Sequence, residues 1–403
     1  MLSPDHAEIV RATLPAVTAH GTEITAKFYD AMFAAHPELR HMFNQGNQAN
    51  GEQRQALAMA VAAFAQRLTS ADGPASVRLM LSRIANKHAS LGVRPEQYAI
   101  VGRHLMEAVA DVLGAAVTPE VHAAWSEVYW LFATLLVAEE ARLYQQASCS
   151  PAGPFRPWRV VARRPETDDV FSLVLEPADG QGVPGYRPGQ YVSVAVTLPD
   201  GLRQPRQYSL SRVPADDAIQ ITVRRVRGDG GTPDGAVSSF LHHDVAEGDL
   251  LEVSPPFGDL VLDDESDPLV LISAGIGVTP VAAMIDHLAA TAPDRRVLAL
   301  HADRSPRTHA LRDQIATAAR AMPGLHRVTW YEQPDGTASA AGEEIRTGLM
   351  DITGLSLPPK ARVYMCGPIP FMRGVRRALL TAGIADERIH YEVFGPDLWN
   401  QAD

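Results

Sequence analysis

Apolar residues recur at three- and four-residue spacing through the first 147 residues, as in Leu57, Val61, Phe64 and Leu68, and again in Val101, Leu105, Val109 and Leu113. That period puts them on one face of a helix and predicts an all-helical segment over 1–147. Its prolines, among them Pro4, Pro37, Pro95 and Pro119, stand where helices begin or connect. The stretch 148–157, SCSPAGPFRP, breaks the pattern with small residues and prolines and reads as a linker.

From Trp158 the period falls to two. WRVVARR, FSLVLEP, QYVSVAV, IQITVRRV and LLEVSPP are short strands between Pro, Gly and Asp turns, and the lack of intervening helices predicts a small antiparallel β-barrel. A glycine-rich loop, GDGGTPDG, lies within it at 228–235. Beyond about residue 263, PLVLISAG, RVLALHA and ARVYMCG lead into helices expected near 280–290, 308–321 and 369–382. That alternation builds a parallel sheet in an α/β domain, wrapped on both faces. The expected domains are therefore 1–147, 155–262 and 263–403 of a multidomain chain.

Charge narrows the partners. A formal net charge of −11 over 403 residues argues against nucleic acid or an anionic membrane surface, which need a basic face. The N-terminus, MLSPDHAEIV, has neither the basic nor the apolar region of a secretory signal. The longest apolar runs, such as LFATLLVA at 131–138, fall far short of a membrane span, so a cytoplasmic protein is expected. Two cysteines, Cys149 and Cys366, cannot supply an iron–sulfur site. A redox centre would then be organic or held by histidine.

Four motifs carry the candidate chemistry: RQYSLSR at 206–212, GIGVTP at 275–280, MCGPIPFM at 365–372 and HYEVFGP at 390–396. In Gly275, Ile276, Gly277, Val278, Thr279 and Pro280 the glycines follow an apolar strand and precede a helix, which lets a pyrophosphate rest on the helix N-terminus. The same residues also suit a plain strand–helix turn, and they do not fit GxGxxG. Arg206 offers a guanidinium for a phosphate, Tyr208 a ring to lie along an isoalloxazine, and Ser209 a hydroxyl for a flavin atom. Val237, Ser238 and Ser239 open a helix-like segment suited to a second phosphate.

Together these stretches resemble the ferredoxin–NADP reductase superfamily over about 155–403. The resemblance implies FAD on the barrel, contacted by Tyr191, Arg206, Gln207, Tyr208, Ser209 and Val237–Ser239. It implies NADH or NADPH at Gly275–Pro280, with Cys366, Gly367 and Pro368 flanking the nicotinamide. Phe394 would cover one flavin face, with Glu392 close by and Val393, Gly395 and Pro396 completing the strip. Arg304, Ser305 and Arg307 suit a 2′-phosphate, yet Asp303 suits a free ribose hydroxyl, and the balance leans to NADH.

In the helical half, His88, Tyr29 and Phe43 alone would be ordinary surface or core residues. The ordered set KFYDAMFAAHPELRHMFN, GEQRQAL and IANKHASLGVRPEQYAIVGRHL, with IHYEVFGPDL near the end, is similar to the bacterial flavohaemoglobins along nearly the full chain. That resemblance implies a globin domain in which His88 is the proximal ligand of haem b iron and Phe43 packs on the haem. Tyr29, Gln53 and Leu57 would form the distal pocket, Tyr98 and Glu140 would hold the imidazole, and Lys87 would neighbour it. Glu140 is chosen over Glu139 because the family pattern places it four residues before Tyr144. A carboxylate-held imidazole is more basic and favours oxygen activation. The implied activity is that of a monomeric nitric oxide dioxygenase, which passes electrons from NAD(P)H through FAD to haem and converts nitric oxide and O₂ to nitrate. Two rivals stand beside it: a reductase of peroxide, ferric iron or quinone, and an oxygen- or lipid-binding globin, since the apolar face of Leu57, Ala60 and Val61 would accept a lipid chain. The departures from the family pattern are few: the loop at 228–235, Val278, and Val393 where some members have cysteine.

Overall fold

A computed structural model describes residues 2–43, 52–69, 73–150, 153–213, 217–228, 232–263, 265–335 and 342–395. Those residues form two compact units. One holds the chain up to Phe155, with Ala195–Arg206 and Gly395; the other holds Arg156–Val194 and Gln207–Phe394.

The first unit is built on six α-helices among the described residues: α1 (Pro4–Ala19), α2 (Gly21–Ala35), α3 (Glu52–Thr69), α4 (Gly73–Leu91), α5 (Pro95–Leu113) and α6 (Pro119–Gln146). The Ser3 hydroxyl accepts the His6 N–H to cap α1, and Thr118 does the same for Val121 at the head of α6; each cap is followed by a proline at the first helical position. Phe28, Met32, Phe64, Trp125, Val128 and Leu136 are fully buried between the helices. Helices α5 and α6 approach closely at Gly102, where a Cβ would lie 2.4 Å from the Tyr129 ring. Among the described residues α6 is long and apolar enough, by length and composition, to cross a membrane, although its uninterrupted apolar run is short. Its face Trp125–Val128–Tyr129–Phe132–Leu136–Glu140 is buried in this unit, so its apolarity serves a protein core.

The antiparallel sheet comprises β1 (Arg156–Pro165), β2 (Val170–Pro177), β3 (Tyr191–Thr197), β4 (Arg203–Ser209), β5 (Ile219–Arg224) and β6 (Leu250–Val253), in the order β4-β3-β6-β1-β2-β5. The linker reading extends two residues too far, because β1 already begins at Arg156 and pairs there with Val253. A short helix, α7 (Ala236–His243), follows the glycine-rich loop.

The parallel sheet comprises β7 (Leu269–Ala274), β8 (Val297–Asp303), β9 (Leu325–Tyr331), β10 (Glu343–Thr347), β11 (Arg362–Cys366) and β12 (Ile389–Glu392), with α8 (Val278–Thr291), α9 (Arg312–Ala319) and α10 (Ile369–Thr381) between strands. Its order is β10-β9-β8-β7-β11-β12, and the pairs are parallel. Periodicity missed β9, β10 and β12. Of these, β10 is a short, charged edge strand (EEIRT), the composition that guards a sheet edge against further pairing. The helix expected from 308 starts only at Arg312, because Ser305–Thr308 forms a turn and Leu311 adopts a left-handed φ of 58°.

Antiparallel and parallel sheets are tied through α9. Gln314 Nε2 donates to the Ser211 carbonyl (2.7 Å) and to Asp286 Oδ2 (2.9 Å), and Gln220 Nε2 donates to Gln314 Oε1 (3.1 Å). Burial pushes the Asp286 carboxyl up to about 6, with Arg212 and the Gln314 bond acting the other way. The folded chain thus holds this proton more tightly than the unfolded one. Ionising Asp286 costs stability that grows as pH rises from the ordinary aspartate value to about 6 and is constant above it. Asp286→Asn should therefore raise the melting temperature by roughly 2–4 °C at pH 7.5 and by clearly less at pH 4.5. Calorimetry at the two pH values checks this, and an equal gain at both would contradict it.

Candidate functional site

Helix α4 ends just beyond His88: Gly92 takes a φ of 80°, and the Val93 N–H bonds the His88 carbonyl at 3.1 Å. Helix α5 starts at once, the Gln97 side chain accepting the Arg94 N–H, which puts Tyr98 in the first turn. Glu140 comes from α6. The three side chains converge: His88 Nδ1 lies 2.8 Å from Tyr98 Oη and 2.9 Å from Glu140 Oε1, and Tyr98 also donates to Glu140 Oε1. Glu140 is only 2 % exposed, whereas Glu139 turns outward and pairs with Arg142.

Burial, and next the Glu140 charge, push the Tyr98 phenol far above its usual range. The phenol keeps its proton, the carboxylate can only accept, and the imidazole must then present N–H at Nδ1. Among the described residues Nε2 has no hydrogen-bond partner, so it carries a free lone pair on a ring held from behind. Tyr129 Oη steadies this arrangement by donating to the Tyr98 carbonyl (2.5 Å), and Tyr144 Oη by donating to Val93 O (2.9 Å). No cluster of three or more His, Cys, Asp or Glu suited to a metal ion occurs among the described residues. An imidazole nitrogen fixed in this way fits the single axial ligand of a haem.

Tyr29 is buried on α2, with ring centroids 5.7 Å from Phe33 and 5.7 Å from Phe43; Phe33 and Phe43 meet edge-on at 5.2 Å. Leu57 is half-buried on α3. Lys87 Nζ donates to the Gly395 carbonyl. The Gln53 side chain and Pro396 lie outside the described residues.

On the antiparallel sheet the Tyr191 ring is buried and lies against Gly258, where a Cβ would stand 3.1 Å from it at a φ of 123°. Arg206 Nη1 donates to Pro205 O (2.7 Å), Gln207 Nε2 to Ser193 Oγ (3.3 Å), and Tyr208 is half-buried. Two hydroxyls stand out. Ser209 Oγ and Ser239 Oγ are buried with no hydrogen-bond partner among the described residues. Ser238 Oγ, by contrast, is used locally, donating to Gly235 O and accepting from Val226 N. A buried hydroxyl left unsatisfied by protein costs about 1–3 kcal/mol, and so both positions fit contacts of a polar ligand such as FAD. The Val237 side chain is buried, leaving only its backbone for such a ligand.

In the parallel sheet the chain runs from β7 outward to β10, then crosses to β11 and β12 on the other side. The reversal falls between β7 and β11, whose carboxyl ends are where open α/β sheets bind ligands. Gly275–Gly277 and Cys366–Gly367–Pro368 meet there. Gly275 has a φ of 52°, and a Cβ on Gly277 would lie 2.3 Å from Cys366 O and 2.8 Å from Gly367 N. The side chains of Val278, Thr279 and Pro280 are buried, and Thr279 Oγ1 donates to Ile276 O, so a ligand would meet backbone at this turn. Cys366 is buried in register with buried Glu392, followed by buried Val393 and by Phe394, which is 48 % exposed. Asp303, weighed above for a ribose hydroxyl, turns inward: Oδ1 accepts Thr308 Oγ1 and the Arg304 N–H, while Oδ2 faces His301 at 3.4 Å. The lean to NADH that Asp303 supplied loses its support.

Residues 26–136 match the globin family and residues 271–377 the oxidoreductase NAD-binding domain family. The class defined is a globin carried on one chain with a nicotinamide-binding oxidoreductase module. The flavohemoprotein of Bordetella pertussis is 43 % identical over 98 % of this chain and 99 % of its own. That of Rhizobium meliloti is 44 % identical over 99 % of this chain and 100 % of its own. The chain belongs to the flavohemoprotein family. The flavohemoglobin of Malassezia yamatoensis, solved with FAD and heme bound, covers 98 % of this chain and all of its own at 36 % identity and a TM-score of 0.87. The FAD/NAD-binding domain of nitric oxide dioxygenase from Vibrio cholerae covers 60 % of this chain and 99 % of its own, at 37 % identity and a TM-score of 0.54.

Sequence reasoning passed over Tyr129, Ser273, His301 and His309, since the first three sit in a regular helix or strand and His309 in the loop before α9, with no local motif around any of them. The cysteines give a direct check on this geometry. Burial, then the Glu392 charge, push the Cys366 thiol well up, and burial pushes Cys149 up to about 11. Iodoacetamide at pH 8 should label neither in the native protein. At pH 10.5 Cys149 should react first, and Cys366 only on denaturation; mass spectrometry reads the order, and early labelling of Cys366 would refute its burial.

Proposed function

We propose that this chain is a nitric oxide dioxygenase, drawing electrons from NAD(P)H through FAD to haem. The observation that carries the reading is the buried His88–Tyr98–Glu140 cluster, which leaves one imidazole lone pair free. Per coenzyme the balance is two nitric oxide and two O₂ plus NAD(P)H giving two nitrate, NAD(P)⁺ and one proton. Bound haem supplies the iron centre for dioxygen, and bound FAD splits a hydride into single electrons. The rest falls to the chain's own side chains.

His88 would hold the haem iron, and Glu140 would keep a proton on its Nδ1 side, so that the imidazole would donate more electron density than a histidine facing solvent. Phe43 would pack against the bound haem, and Lys87 neighbours His88 in the chain. Tyr29 and Leu57 would line the oxygen pocket, the role the family resemblance also gives to Gln53, and there the Tyr29 phenol O–H would donate to developing negative charge on oxygen. Tyr191, Arg206, Gln207, Tyr208 and Ser209 hold the flavin, and Val237, Ser238 and Ser239 its pyrophosphate. Gly275, Ile276, Gly277, Val278, Thr279 and Pro280 present backbone to the dinucleotide. Cys366, Gly367 and Pro368, with Glu392, Val393, Phe394, Gly395 and Pro396, border the hydride-transfer position.

Anaerobic NADH should bleach the flavin and give a ferrous haem spectrum, and a pulse of O₂ with nitric oxide should then return nitrate. Tyr29→Phe should lower nitric oxide turnover about a hundredfold, by loss of one preorganised donor, with NADH–ferricyanide reduction unchanged. Glu140→Gln should slow the haem steps while flavin reduction stays normal. Unchanged nitric oxide turnover in Tyr29→Phe, followed at a nitric oxide electrode, would sink this mechanism.

A further inference from the structure

Just before the turn at Gly275, the parallel sheet holds ionisable side chains that this reading leaves without a task. Ser273 on β7, His301 on β8 and Thr329 on β9 stand in one row, since Ser273 pairs with His301 and His301 with Thr329. Residues in such a row project to the same face. Ser273 Oγ and His301 Nδ1 are 2.8 Å apart. The far nitrogen of His301 lies 3.4 Å from Asp303 Oδ2, and its ring stacks on His309 with centroids 4.0 Å apart and planes inclined by 25°. His309 Nδ1 meets Tyr331 Oη at 2.7 Å. The loop between the two histidines closes on itself, because Thr308 Oγ1 and the Arg304 N–H both donate to Asp303 Oδ1, at 2.5 and 2.7 Å.

All four of Ser273, His301, His309 and Tyr331 are buried, and among the described residues His309 Nε2 has no hydrogen-bond partner. The two rings line a cavity with Arg312, Arg327 and Glu343. Burial, then the neighbouring His301, Arg312 and Arg327, hold His309 well below the usual histidine range, so its ring is neutral and can stack. Filling this space alone would favour apolar side chains, since desolvated imidazoles carry a cost that leucine does not. What the pair adds is direction. From His301 one arm reaches Ser273, two residues before Gly275. The other nitrogen faces Asp303 Oδ2 at ion-pair distance, with no hydrogen bond among the described residues; Asp303 immediately precedes the Arg304–Thr308 loop and the stacked His309 immediately follows it.

We propose that His301 and His309 are positioning residues for the nicotinamide dinucleotide, holding the Gly275–Gly277 turn and the Arg304–Thr308 loop at the spacing its pyrophosphate and adenosine require. The inference rests on the proposed binding of NAD(P)H at these strand ends. The test is steady-state ferricyanide reduction by the FAD-loaded full chain with NADH and with NADPH. His301→Ala should raise KM about tenfold with kcat within about twofold and flavin content unchanged, the pattern of lost coenzyme binding. His301→Asn, whose amide can still meet Ser273, should fall between alanine and wild type. Thr308→Val removes one hydroxyl from the loop and should raise KM about threefold, which keeps the test alive if His301→Ala misfolds. An unchanged KM for both coenzymes, or a fall in kcat alone, overturns the proposal. A wild-type protein that oxidises neither coenzyme overturns the binding site and this inference with it. Wild-type turnover with unaltered variant KM overturns the inference alone.

Discussion

One buried carboxylate organises the helical unit. Glu140 sits where water does not reach, and its charge is tolerable there only because Tyr98 and His88 both point hydrogen at it. Removing either partner would leave a buried charge half satisfied, so the three side chains hold one another in a single geometry. Much of the surrounding architecture serves that geometry. The glycine at 92 stops α4 directly after His88, the Arg94–Gln97 cap starts α5 in time to deliver Tyr98, and Tyr129 packs into the notch at Gly102 while holding the Tyr98 carbonyl.

The second unit follows a different logic. Its candidate ligand positions offer backbone, and hydroxyls that have no hydrogen-bond partner among the described residues, as at Ser209 and Ser239. The turn at Gly275–Gly277 lies so close to Cys366–Gly367 that no side chain fits between them. Rigidity comes from behind. The Gln314 and Asp286 contacts tie the two sheets together, and the stacked rings of His301 and His309 lie buried near the strand ends.

The change of period from three-and-a-half to two and then to alternating strands and helices was readable along the chain, because helices and strands that share a core must turn apolar side chains inward at their own repeat. The glycine turn and the RQYS strand end were equally legible, since their chemistry is local. Edge strand β10, with its charges, carried no such signal. His88 was no more than an ordinary helical histidine until its ordered neighbours suggested a family.

Tertiary structure alone decided which of two adjacent glutamates is buried, since a rotation of one residue along α6 carries Glu140 inward and Glu139 to solvent. It also decided that Asp303 faces His301 rather than outward, and that two histidines eight positions apart stack ring on ring. The sequence determined the elements and their local turns, because these depend on residues within a few positions of each other. Partners such as His88 and Glu140, or Ser273 and His301, are separated by tens of residues, and only packing brings them within hydrogen-bond reach.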